Sequence, residues 1–150
     1  MKQLRVALVN LNKPHDVAIT LQLAMAFRYL EVFAIGTTLE PDHKKIHNKV
    51  SSWTVDMSKA SEAHWERVAS LDELVSRGYN LVSTSPRNGT SVFAYEVGDN
   101  DVFVLGGAAG LSKDNLAKCQ NAITIPCDPS VPFLTVGSVI PLLIGHTFRA

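Results

Sequence analysis

Apolar residues cluster along this chain in short blocks separated by polar turns, and the period changes from block to block. Leu4–Asn10 is a compact Leu/Val run with Arg5 near its start, which predicts a strand covered on both faces. The polar turn Asn12-Lys13-Pro14-His15-Asp16 follows, with Asp16 as helix N-cap, and Val17 to Arg28 carries Ala, Leu and Met at helical spacing. Leu30–Gly36 predicts a second strand, and the basic stretch between Glu40 and Lys49 a short helix. The alternation over Ser51–Met57 reads as a short strand, whereas Lys59–Val68 has no clear period. Ser70 with Glu73 matches a capping box and Gly78 supplies a stop, so Leu71–Arg77 is a helix.

Tyr79–Thr84 is a third firm strand, emptying into the turn-rich Ser85-Pro86-Arg87-Asn88-Gly89. Asp101–Leu105 is a fourth, with Gly106 to Gly110 as its loop. Ser112 caps a helix over Lys113–Cys119, and Ala122–Ile125 is a fifth strand. The last helix, about Thr135 to Thr147, is apolar nearly all round and contains Pro141, which predicts deep burial and a kink. Strands alternating with helices predict an α/β domain with a mostly parallel sheet flanked by helices. Two loops at the carboxyl ends of strands, after Leu105 and after Ile125, lie where such sheets place ligands.

The 150 residues suit one domain able to bury its own core. Formal net charge is zero, so no global field drives the protein to nucleic acid or membrane, although a local basic patch remains open. Cys119 and Cys127 have neither metal spacing nor a disulfide framework, and each reads as a small buried thiol in a reducing compartment. The apolar runs are too short for a signal peptide or a membrane span, so the expectation is a soluble, cytoplasmic protein without metal.

Three segments, in order and at matching distances, resemble the SpoU/TrmH-type RNA ribose 2′-O-methyltransferases of the SPOUT superfamily. Asp16 to Arg28, DVAITLQLAMAFR, occupies the place of the family's N-x-G-x-x-x-R-x-x-x-x-x-G motif. VLGGAAGLS keeps Gly110, Leu111 and Ser112 of the second motif, G-x-E-x-x-G-L-S. Ile125, Pro126 and Cys127, followed by Phe133, Leu134, Thr135, Val136 and Gly137, fill the place of the third, I-P-M and then S-L-N-V-S.

The resemblance implies a single domain over 1–150 without an added RNA-binding domain, its C-terminal segment threaded into a trefoil knot. It implies S-adenosylmethionine held largely by main-chain groups of three loops. The matching positions are Ser83 and Thr84; Leu105, Gly106, Gly107 and Gly110; and Ile125, Pro126 and Cys127, with Phe133 and Leu134 alongside. It further implies a homodimer through the first and last helices and a tRNA or rRNA substrate. The departures fall on the chemistry. Gln22 stands at the motif arginine, Asp16 at the asparagine, Gly107 at the glutamate in the ungapped match, and Phe133 and Thr135 at the serine and asparagine of the third motif. An amide hydrogen-bonds but carries no charge and is a negligible base.

Two rivals stay open beside the methyltransferase: a catalytically degenerate relative that binds RNA or protein as a dimer, and a module that binds the cofactor for another purpose. Several residues admit a plain reading beside a functional one. His43, Lys44, Lys45, His47 and Lys49 could touch RNA phosphates or simply form a solvated face. Arg87 is a further phosphate candidate, and His15 is a surface histidine or a proton acceptor. Arg28 is a solvent-facing helix-terminal charge, and His64 with Trp65 is a base-stacking pair or a packed aromatic edge.

Overall fold

The computed structural model describes residues 2–85, 88–107, 110–131 and 134–149. Its centre is a seven-stranded sheet whose paired strands all run parallel, in the order β3-β2-β1-β6-β4-β7-β5. The strands are β1 (Leu4–Val9), β2 (Leu30–Ile35), β3 (His64–Arg67), β4 (Asn80–Ser85), β5 (Thr90–Ser91), β6 (Asp101–Gly106) and β7 (Asn121–Thr124). The helices are α1 (Pro14–Ala26), α2 (Lys44–Ser52), α3 (Leu71–Ser76), α4 (Lys113–Ala117) and α5 (Val136–Thr147).

The near-continuous apolar runs of the central strands reflect burial on both faces. In β1, Leu4, Val6 and Leu8 join the core under α1, α2 and α5. Ala7 and Val9 face the opposite core, built with Leu71 and Leu74 of α3 and with Leu81, Val102 and Val104. On the first face α1 and α5 touch so closely that a Cβ built on Gly137 would lie 3.0 Å from Cδ1 of Ile19.

Several boundaries move for identifiable reasons. Helix α1 begins at Pro14, two residues before the expected cap: proline's fixed φ suits the first helical position, and Lys13 serves as N-cap without a side-chain bond. Ser70 likewise makes no side-chain cap bond, and the match to a capping box is half realised, with Glu73 reaching back to the Ala69 N–H at 3.0 Å. Ser112 does cap α4, accepting from the Asn115 N–H at 3.1 Å.

The strand expected over Ser51–Met57 is absent. Ser51 and Ser52 end α2, Thr54 takes φ +61°, and Asp56 caps a 3₁₀ turn over Met57–Glu62. The alternation there is real, because Trp53, Val55 and Met57 all pack half-buried against the core. The sheet edge they would need is held by β3, from the segment that lacked a period. β3 is short and charged, as an edge strand tends to be.

Alternation along β3 separates His64 from Trp65. His64 is exposed while Trp65 packs into the core, which removes the stacking pair. Helix α5 is less enclosed than its composition predicts: Val136, Val139, Ile140, Leu143 and Ile144 are buried, but Ser138, Pro141, Leu142 and Gly145 are exposed. Cys119 is half-buried, and burial pushes its thiol pKa up. Cys127 is exposed, contrary to the expected core thiol, because β7 ends at Thr124 and leaves it in the following loop.

Candidate active site

Parallel strands bring all their carboxyl ends to one edge of the sheet. From β1 the chain first winds outward through β2 and β3, then crosses to place β4 and β6 on the other side of β1. The boundary between β1 and β6 is therefore the switch point at which a ligand crevice is expected. A cleft of about 480 Å³ opens there. Its walls are Asn10, Leu11, Asn12 and Lys13 after β1, Gly107, Gly110 and Leu111 after β6, and Ser112 and Asn115 at the start of α4.

Both walls are held by main-chain geometry. Asn10 takes φ +54°, and its Oδ1 accepts from the Thr37 N–H at 3.0 Å. Thr38 Oγ1, itself buried, accepts from the Leu11 N–H at 3.0 Å and lies 2.8 Å from the Leu8 carbonyl. These bonds tie the loop after β1 to the loop after β2. Opposite them, the Gly110 N–H donates to the Gly107 carbonyl at 2.8 Å. A Cβ on Gly106 would stand 2.8 Å from the Gly110 carbonyl carbon, and one on Gly107 3.3 Å from the Asn10 carbonyl oxygen. Gly110 has φ +76° with no atom within 4 Å of a built Cβ, so its main chain stands open at the cleft.

Next to this cleft, β6, β4 and β7 are neighbours, which sets the ends Leu105–Gly107, Ser83–Ser85 and Thr124–Cys127 side by side. Ser83 is buried. Thr84 Oγ1 donates to the Val104 carbonyl at 3.1 Å, which commits this hydroxyl to joining β4 and β6. Leu105 is buried, Ile125 and Leu134 are half-buried, and Pro126 and Cys127 are exposed. Phe133 and Arg87 lie outside the described residues.

Gln22 sits half-buried in the third turn of α1, and its side chain makes no hydrogen bond among the described residues. It does not line the cleft: it stands nine positions after Lys13, about 13 Å along a helix axis. Asn10, Asn12, Lys13 and Asn115 were not singled out from sequence. A signal for the first three was present, as a polar cluster directly after a doubly buried strand. Among the described residues, Lys13 makes no ion pair and is the one charged group on the cleft wall. His15 stands edge-on to Trp53, ring centroids 6.0 Å apart. Arg28 is exposed and bonded to Glu62 at 2.5 Å.

No group of three or more His, Cys, Asp or Glu among the described residues could hold a metal ion. No helix among them is long and apolar enough to cross a membrane.

A parallel sheet with a glycine-lined crevice at its switch point defines an α/β domain. The sequence model of the SpoU rRNA methylase family matches residues 3–139, and the chain belongs to that family. No curated protein matches the sequence. Among solved structures, a Porphyromonas gingivalis protein assigned to the TrmH family of RNA methyltransferases superposes with a TM-score of 0.82 at 19% identity, over 99% of this chain and 60% of its own. The SpoU methyltransferase AviRb from Streptomyces viridochromogenes, solved with the cofactor AdoMet, gives 0.79 at 18%, over 99% of this chain and 57% of its own. A protein solved in a study of 2-OH methylation of C/U34 on tRNA gives 0.79 at 16%, over 99% and 95%. This chain thus spans less than two thirds of the first two, and at these identities the likeness is one of fold.

Proposed function

We propose that the chain is an S-adenosylmethionine-dependent RNA ribose 2′-O-methyltransferase acting on tRNA or rRNA. The observation that carries this reading is the glycine-built turn after β6, closed on itself at Gly106 and open at Gly110, in a member of a methylase family. A main-chain cradle of this kind tolerates changed side chains, because every residue supplies a carbonyl and all but proline an N–H. The ends of β4, β6 and β7 would hold the cofactor, with Ile125 and Leu134 offering apolar surface to a purine. The cofactor there would supply an electrophilic methyl group.

The chain's own part is to align a ribose hydroxyl and stabilise charge on its oxygen as it reacts. Lys13, on the cleft wall with no ion pair among the described residues, is placed for the second task, with the hydroxyl proton leaving to solvent. Asn12 and Asn115 can orient the sugar or base by hydrogen bonds. Gln22, at the family arginine's place, could orient RNA only from outside this cleft.

The trefoil knot belongs to the same proposal. It is supported by β7 lying between β4 and β5, so that the segment after β4 reaches the far edge of β7 before returning to β6. We place the homodimer on α1 and α5, where Leu142 is 37% exposed beside Pro141 and Gly145. The cytoplasm is the proposed location.

A degenerate relative that binds RNA without methylating it is the second reading, favoured by the uncharged Gln22. Calorimetry with S-adenosylmethionine and transfer of a tritiated methyl group to bulk RNA test the proposal together. Binding with transfer supports it, binding alone favours a cofactor-binding module, and neither favours the degenerate relative.

A further inference from the structure

Charge is unevenly spent on this neutral chain. Arg5, Arg28, Arg67 and Arg77, with Lys59 and Lys118, are committed to carboxylates. Lys2, Lys13, Lys44, Lys45, Lys49, Lys113 and Arg149 make no ion pair among the described residues. Four of these seven, Lys13, Lys44, Lys45 and Lys49, lie at the start of α1 or along α2.

Ile46 and Val50, one turn apart, pin the inner face of α2 to the core. That sets Lys45, Asn48, Lys49 and Ser52 on one stripe, at positions i, i+3, i+4 and i+7. The stripe forms a shallow groove with Pro14, the first residue of α1. Lys13, directly before Pro14, lines the cleft at the switch point. Cleft and groove therefore meet across the Lys13–Pro14 peptide. The nearby carboxylates Asp16 and Asp42 line neither of them.

We propose that this groove is the track on which the RNA strand flanking the target nucleotide lies, its phosphates facing Lys45 and Lys49. The inference rests on the RNA-methyltransferase reading and adds where, and by what chemistry, the RNA docks. Two lysines one helical turn apart are separated by about 6 Å along the axis, which is on the order of the spacing of successive phosphates in an extended strand. Asn48 between them can donate to phosphate or sugar oxygens, while the Ser52 hydroxyl gives its proton to the Lys49 carbonyl at 2.6 Å. Among the described residues, no aromatic or acidic side chain lines the groove. It should therefore read backbone rather than base, leaving selection of the nucleotide to the cleft.

The test compares Lys49→Glu and Lys45→Glu with Lys2→Glu, which makes the same change of charge on an exposed residue before β1, at the opposite edge of the sheet. Binding of a fluorescent tRNA is followed by anisotropy at several salt concentrations, with circular dichroism to verify folding. Each groove variant should bind at least about fivefold more weakly, and its slope of log K against log salt should fall by about 1. Lys2→Glu should stay within about twofold of the parent. Equal losses in all three, or none in the groove variants, would overturn the proposal. So would loss of binding to phosphatidylserine vesicles without loss of RNA binding, since it would assign the stripe to a membrane surface. Because RNA binding is read without methyl transfer, an inactive chain that still needs Lys45 and Lys49 would refute the catalytic reading alone. An active chain indifferent to them would refute the track alone.

Discussion

The Tyr95 hydroxyl donates to Oδ2 of Asp101 at 2.8 Å, fastening the segment between β4 and β6 to the first residue of β6. The same carboxylate accepts from the Gly98 N–H at 2.7 Å and, through Oδ1, from the Asn80 amide at 2.7 Å. Asp101 is only 7% exposed and Tyr95 and Asn80 are half-buried, so removing the carboxylate would leave these two donors without a partner in a poorly hydrated place. Asp101→Ala should destabilise the fold by about 2–4 kcal/mol, and Tyr95→Phe by about 1 kcal/mol. Thermal melts read both. A loss for Asp101→Ala no larger than that for Tyr95→Phe would show that the carboxylate is not the hub.

The turn after β6 makes a sharper claim about function. Gly106→Ala puts a methyl group 2.8 Å from the Gly110 carbonyl carbon, and backbone cannot swing aside as a flexible side chain can. The loop should shift while the sheet persists. Affinity for S-adenosylmethionine should fall roughly tenfold or more, with stability lowered by about 1–2 kcal/mol. Calorimetry beside a melt separates the two, and unchanged affinity would place the cofactor elsewhere.

Two residues compete as the polar group nearest the reaction. Lys13→Gln should lower kcat by about tenfold to a thousandfold if the charge stabilises the reacting oxygen. Gln22→Ala should reduce transfer less, chiefly through RNA affinity. If Gln22→Ala leaves transfer untouched and Lys13→Gln abolishes it, the reaction belongs to the cleft alone. The opposite result would restore the place of the family arginine.

Hydrogen bonding to Arg77 holds the Glu66 carboxyl below its ordinary value. A carboxylate depressed in the folded state adds stability above its unfolded pKa and loses that stability as pH falls through its folded pKa. Thermal stability should therefore decline below about pH 4.5, and Arg77→Gln should flatten that decline. Both side chains are exposed, so the difference is small and shrinks with salt. A melt series over about three pH units, from pH 3 to 6, checks the sign.

The proposed dimer gives a simple readout. A charge on the exposed side of α5 would oppose burial against a second copy, whereas a solvated face would accept it. Leu142→Asp should move the protein toward monomer in sedimentation, with the melt nearly unchanged at low concentration. An unchanged sedimentation coefficient would take the contact away from α5.

The central strands and the helices were written in the sequence, because burial on both faces leaves continuous apolar runs and burial on one leaves a helical stripe. β1, β2, β4 and β6 are of the first kind, and α1 with its early Pro14 is of the second. So were the glycines at 106, 107 and 110: a Cβ on Gly106 or Gly107 would meet main chain, and Gly110 takes a positive φ of +76°. Three-dimensional structure alone decided what depends on distant partners. It put β3 at an edge and Trp53, Val55 and Met57 against the core without a strand. It exposed Cys127 just past the end of β7. It also made one surface of Lys13 and the α2 lysines, which thirty residues of chain divide and only the docking of α2 onto α1 brings together.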